Sequence, residues 1–329
     1  MVDRAGTALT TFLLRRLGAS LLLLLLILSF LFFFLRLLPG DPTQVFEGRR
    51  LTAEQRRNLE RLYGLDRPLP EQYLVWISSM ARGNWGTSLS QQRPVSAAIR
   101  DVLPATVLLA SAALGVELFA ALLLGVLAAR RRGSASDHAI RVVTLLLYSQ
   151  PLFWLGLMAI LLFSYVWPVL PASHMRSVDA EFMGPWDRSL DLLRHLVLPA
   201  LVMGLGAMGS TIRFVRGGLI EVMGQDYIRT ARAKGLSERR VVWVHGMRNA
   251  LVPVIQVVAA ALPLLLSGSL IVEVVFSWPG LGRLAYQAIL TRDYPLILGT
   301  TALSAAVVIL GNFLADVLQA LVNPRVRDA

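Results

Sequence analysis

The side chains of this sequence that could do chemistry fall in two kinds of place. One is a charged run, DYIRTARAKGLSERR over 226–240, set between long apolar stretches; the other is a set of single polar residues within the apolar stretches, Glu117, Glu273, Asn312 and Asp316. An unpaired charge near mid-membrane costs at least ~2.5 kcal/mol, so such a residue faces a water-filled path or a hydrogen-bonding partner. Glu117 precedes Arg130 by a rise of roughly 20 Å on a continuous helix. It reads either as a group on a translocation path, facing a cavity or a second subunit, or as a hydrogen-bonded packing carboxyl. Glu273 reads as gate or interface. Asn312 and Asp316 lie four apart on one helix face and read as packing groups that bond across to another helix.

The charged run suggests mechanical work. Residues 226–234 read as a short helix, Gly235 supplies the left-handed conformation that ends it, and Ser237 is placed to cap a second helix. A helix–glycine–helix elbow seated in the groove of a soluble partner would convert motion of that partner into tilting of the attached apolar helices. A solvated basic loop is the alternative that spacing alone leaves open.

Bond-making chemistry is hard to find. The sequence contains no GxxxxGK[ST] phosphate loop, no HExxH pair and no GxSxG elbow. Its four histidines, His138, His174, His195 and His245, lack ligand spacing, and His174 beside Met175 is too little for a soft-metal site. Without cysteine there is neither a disulfide nor a thiolate site. We therefore expect no catalytic residue, no metal and no cofactor held by this chain.

The positioning elements follow from composition: 55% hydrophobic, 16% charged, and a mean hydropathy of +0.61. Six segments approach the ~20 apolar residues needed to cross a bilayer: 17–38, 103–129, 142–169, 196–215, 251–276 and 296–322. The run after Arg15 and Arg16 is too long for a signal-peptide core and no small-residue cleavage site follows, so it reads as a retained span. The net charge of +11 flanks the spans, which fits topology signals and lipid headgroups better than nucleic acid. Arginines near the first span, over 130–141, over 213–248 and at 325–327 predict both termini inside, with the charged run on the same side. The predicted division is 1–38 as N-terminus and first helix, 39–102 as an extracytoplasmic segment, and 103–329 as a five-helix core carrying an inner loop over 218–250. Within 39–102, Thr52 and Gln55 make a capping-box pattern before a helix that Gly64 ends, and a second helix fits 71–80. Gly204, Gly206, Gly209 and Ser210, with Ser267, Gly268 and Ser269, would let helices approach closely or bend, and Pro253 and Pro263 would kink the fifth span.

DYIRTARAKGLSERR followed by RNALVPV resembles the cytoplasmic coupling loop, the EAA loop, of permease subunits of bacterial ABC importers in the dipeptide, oligopeptide and nickel family. LLPGDP at 37–42, YGLDRPLPEQYLVWI and GNWGTSL within 63–89, HLVLPAL at 195–201, FSWPGLG at 276–282, RDYP at 292–295 and NPRVRD at 323–328 are similar to further parts of the first, B-type, permease. Arg229, Thr230 and Ala231 occupy the EAA slots, as suits the peptide subfamily; Asn323 and Gln319 depart from its tail.

The resemblance implies an all-α, six-helix type I importer permease in the bacterial inner membrane. It would work with a homologous second permease, two cytoplasmic ATPases that bind ATP and Mg, and an extracytoplasmic substrate-binding protein. Asp226, Tyr227, Ile228, Arg229, Thr230, Ala231, Arg232, Ala233, Lys234, Gly235, Leu236, Ser237, Arg239 and Arg240 would seat in one ATPase. Tyr227, Ile228, Ala231 and Leu236 would fill its groove, with the basic residues steering docking. The cargo implied is di- or oligopeptide; nickel chelates, glutathione or antimicrobial peptides would use the same machine. A self-contained secondary transporter is the reading from a different class, and it would need a coupling-ion site built around Glu117.

Overall fold

The computed structural model describes residues 2–37, 66–250 and 270–322. The capping box at 52–55, the helix read after it, Pro253, Pro263, Ser267, Gly268, Ser269 and the tail motif lie outside these residues. Among the described residues the chain is helical, with a single bridge between Thr87 and Pro94 in place of any strand.

Two long helices form the frame: α3, Val95–Arg130, and α6, Pro185–Met223. Their 36 and 39 residues amount to over 50 Å at ~1.5 Å per residue, against a ~30 Å hydrocarbon layer, so both project beyond the bilayer. The first helix, α1 (Val2–Leu37), and the last, α12 (Tyr294–Val322), pack side by side. α3 continues through the boundary read at 102–103, with Pro104 inside it.

α3 and α6 approach closely because glycines line the seam. A Cβ on Gly204 would lie 2.6 Å from the Ala113 carbonyl oxygen, and one on Gly125 would lie 2.8 Å from the Val215 side chain. Gly206 meets Leu152 and Gly209 meets Tyr148 and the Thr144 carbonyl. In this structure these small residues of span four therefore serve close packing. Van der Waals contact is the main attraction between apolar helices in lipid, so small residues strengthen the seam.

The third span differs from its expectation as one rod over 142–169. The chain forms α4 (Ala135–Ser149) and α5 (Leu152–Ile160), bent by 101° to each other, the second prolonged by a π-helical stretch, Leu161–Val166. The cause is Pro151, which lacks a backbone N–H and holds the preceding residue out of the helical region; Gln150 accordingly sits at φ −83°, ψ 141°. Among the described residues four helices are long and apolar enough to cross a membrane, five if the bent pair counts as one span. Most of the fifth predicted segment, 251–269, lies outside the described residues.

One end of the bundle is closed by short elements. The helix expected at 71–80 is α2, Leu69–Ala81, whose Tyr73 and Trp76 pack on Phe32 of α1 at ring-centroid separations of 5.5 and 5.1 Å. The turn after α2 is fastened to the start of α12 by Asp293. Its Oδ2 accepts from Ser88 Oγ at 2.6 Å, Ser90 N at 2.8 Å and Ser90 Oγ at 2.7 Å, while Oδ1 accepts from Leu296 N at 3.2 Å. Asp293 is wholly buried, so Asp293→Asn would turn an acceptor for three bonds into a donor facing donors. Leaving such groups unmade costs about 1–3 kcal/mol. The expected result is faster proteolytic nicking within 82–94 with the rest of the chain intact.

Candidate functional site

At the opposite end, α6 runs into α7 (Asp226–Ala233), which is followed by α8 (Glu238–Arg240), a π-helical stretch, Val241–Gly246, and α9 (Met247–Ala250). This is the elbow read from the sequence. Gly235 has φ +75°. The Leu236 N–H donates to the Ala231 carbonyl at 3.4 Å and the Gly235 N–H to the Arg232 carbonyl at 2.9 Å, the pair of bonds that ends a helix through a left-handed residue. Ser237 begins the next helix but makes no side-chain cap bond; its backbone geometry alone marks the start.

The elbow angle is held from inside. Ile228 and Ala231 are buried against Val241, with Val222, Met223 and Leu236 around them. That corrects the expectation that Ile228 and Ala231 fill a partner's groove, because the chain folds back over them and they bind α7 to its own return strand of helix. Leu236 is half-buried in the same cluster. Tyr227, Arg229, Thr230, Ala233, Lys234, Arg239 and Arg240 are exposed, and they form the surface open to another molecule. Asp226 is exposed too, 3.3 Å from Arg229.

Two polar links fix the arms. Arg232 donates from Nε and Nη2 to the two Glu238 carboxylate oxygens at 3.2 and 2.9 Å, spanning Gly235. The guanidinium beside it holds the Glu238 carboxyl below its usual range, with burial opposing. The pair's contribution is therefore present above the unfolded carboxylate value and fades as pH falls through the lowered folded one. Both side chains are about half exposed, so water screens most of it. Asn249 Nδ2 donates to the Tyr227 hydroxyl at 2.7 Å, tying α9 to α7.

A residue that the sequence reading passed over anchors the elbow to the bundle. Asp137, at the start of α4, is fully buried and accepts Arg216 Nε and Nη2 of α6, each at 2.8 Å, and the Gly133 N–H at 2.9 Å. Ser134 caps the same helix, its side chain accepting from the Asp137 N–H at 3.3 Å. The Ser-x-x-Asp spacing before an apolar run is a signal for the start of this helix, though not for the partner of Asp137. Arg216 sits two turns before the end of α6, so this fork connects the helix feeding the elbow to α4.

The other residues singled out are dispersed. Glu117 is buried between α3 and α6 and accepts from Thr211 Oγ1 at 2.5 Å. Glu273, on α10 (Leu270–Val275), has no exposed surface. It accepts from Thr106 Oγ1 at 3.1 Å and from the Arg283 N–H of α11 (Leu281–Leu290) at 2.8 Å. Thr106 Oγ1 in turn accepts from the Leu281 N–H at 2.7 Å, and Gly280 leaves the space that the carboxyl fills. Glu273 thereby ties α10 to α3 and α11. Asp316 pairs with Arg16 of α1 at 2.8 Å; Asn312 is exposed. Among the described residues no group of three or more histidines and carboxylates could hold a metal ion.

Residues 121–328 match the family model described as the inner membrane component of binding-protein-dependent transport systems, and residues 9–110 match its N-terminal companion. The chain is 40% identical over 331 residues to the di/tripeptide transport system permease protein DppB of Pseudomonas aeruginosa, covering 96% of this chain and 98% of that protein. It is 38% identical over 333 residues to the dipeptide transport system permease protein DppB of Escherichia coli, with the same coverage. Over 293 residues it is 38% identical to the oligopeptide transport system permease protein AppB of Bacillus subtilis, covering 89% and 91%.

Proposed function

We propose, from the premise that this chain belongs to the family of inner membrane components of binding-protein-dependent transport systems, that it is the permease subunit of an ATP-driven peptide importer and takes its drive through the elbow at 226–250. The relatives named for di-, tri- and oligopeptide transport support peptides as the cargo. The observation that carries the mechanical part is the division of α7 into two faces. Ile228 and Ala231 lock it to its own chain, and the exposed Tyr227, Arg229, Thr230 and Lys234 are left for a partner.

In this reading both termini and the elbow are cytoplasmic, and α7 seats in a groove of one ATPase subunit. Lys234, Arg239 and Arg240 steer docking toward an acidic rim. Closure of the ATPases on ATP and Mg, which this chain does not itself bind, displaces α7. The displacement has three exits: directly along α6, through Tyr227–Asn249 into α9, and through Arg216–Asp137 into α4. A homologous second permease completes the pathway, and an extracytoplasmic binding protein delivers peptide.

Reconstitution tests this. In liposomes the chain alone should move no peptide, and with the second permease, ATPases, binding protein and ATP it should accumulate dipeptide. Peptide uptake by the chain alone, driven by an ion gradient, would overturn the assignment and restore the secondary-transporter reading.

A further inference from the structure

Behind the elbow, bordered by the Arg232–Glu238 link, lies a recess of about 400 Å³. Its floor is Leu219, Ile220 and Met223 of α6 with Ala129 of α3, and its rim carries Arg130, Arg132, Arg232 and Glu238. The rim thus holds three guanidiniums and one carboxylate. Both oxygens of that carboxylate are taken by Arg232. Arg130 adds a longer-range pull on Glu238, and among the described residues neither Arg130 nor Arg132 has an ion pair within 4.0 Å. Two cations over an apolar floor, with the one nearby anion consumed, make a site short of negative charge.

We propose that this recess holds the phosphate of an anionic phospholipid in the leaflet bordering the elbow. Phosphate chemistry fits because guanidinium forks bind its oxygens in pairs. A lipid source fits because the floor comes from α3 and α6, the helices that cross the bilayer, at the point where the apolar run of α3 gives way to Arg130, Arg131 and Arg132. Basic clusters directly beyond a span attract anionic headgroups. The exposed elbow residues assigned above to the ATPase, Arg229, Lys234, Arg239 and Arg240, do not line it. A headgroup here would bridge the α3–α4 turn to Arg232 and stiffen the elbow against the bundle.

The intact transporter is equilibrated with equal phosphatidylglycerol and phosphatidylcholine, and retained lipids are counted by native mass spectrometry. The wild type should retain phosphatidylglycerol preferentially, and Arg130→Gln with Arg132→Gln should reduce that retention at least about fivefold, the contribution of roughly one basic residue to headgroup binding. The charge-matched control, Arg82→Gln with Arg100→Gln at the far end, should retain as much as the wild type. Excess inorganic phosphate should leave the lipid in place. Equal loss in both variants, no loss in either, or displacement by inorganic phosphate would overturn the proposal. Retention seen only after the ATPases are stripped would also overturn it, by making the recess a protein contact.

Discussion

Replacing Gly235 by valine is expected to reduce ATP-driven uptake about tenfold while leaving the amount of assembled transporter close to normal. Gly235 sits at φ +75°, and a Cβ there would meet nothing within 4 Å. The β-carbon itself meets no clash, so the backbone conformation is the main source of the effect. A residue with a Cβ costs roughly 1–2 kcal/mol in the left-handed region, and a β-branched one is worse placed still. At 1.4 kcal/mol per factor of ten, the population holding the elbow angle falls by roughly five- to thirtyfold. Asparagine tolerates that region and should stay near wild type, with alanine between. The series is read as peptide uptake per mole of complex in proteoliposomes. Equal uptake by the glycine, asparagine and valine forms would mean that the bend transmits nothing.

The second large effect is at Asp137. Removing one partner of a buried ion pair typically costs 3–5 kcal/mol, because the other charge is left desolvated. Asp137 is 1% exposed and Arg216 is 22% exposed, so water reaches part of the orphaned guanidinium and Asp137→Ala should destabilise the chain by less than a fully desolvated pair would. The thermal transition of the purified complex should fall clearly below that of the wild type. Adding Arg216→Met should recover part of this by removing the orphaned charge, although the Gly133 N–H remains unpaired. A double variant less stable than Asp137→Ala would show that Arg216 has another stabilising role.

How much of this was legible in the sequence depended on the range of each interaction. Gly235 is a local device, a glycine after a basic amphipathic turn, and the turn chemistry alone located the bend. Hydropathy placed the long helices, since crossing lipid imposes a length that the sequence states openly. Residues 142–169 were misread because the apolar run was weighted over Pro151, whose missing donor breaks the rod. The inward turn of Ile228 and Ala231 could not be read from α7, because it depends on the chain returning through Val241. Asp137 was hidden among arginines, where a lone acid looks like surface; its partner is 79 residues away, a distance that spacing rules do not reach. Glu117 stands out in the sequence as a costly charge in an apolar run, but its partner Thr211 is 94 residues away and no local pattern names it.

The central claim is that the elbow bears on an ATPase. The chain has no cysteine, so Arg239→Cys puts a unique thiol on the exposed arm of the bend. In inside-out membrane vesicles holding the full transporter, a short thiol cross-linker should join this position to an ATPase subunit, with a yield that changes when ATP is added. A thiol reached only by reagents on the extracytoplasmic side, or one that never joins an ATPase when all subunits are present, would contradict the account.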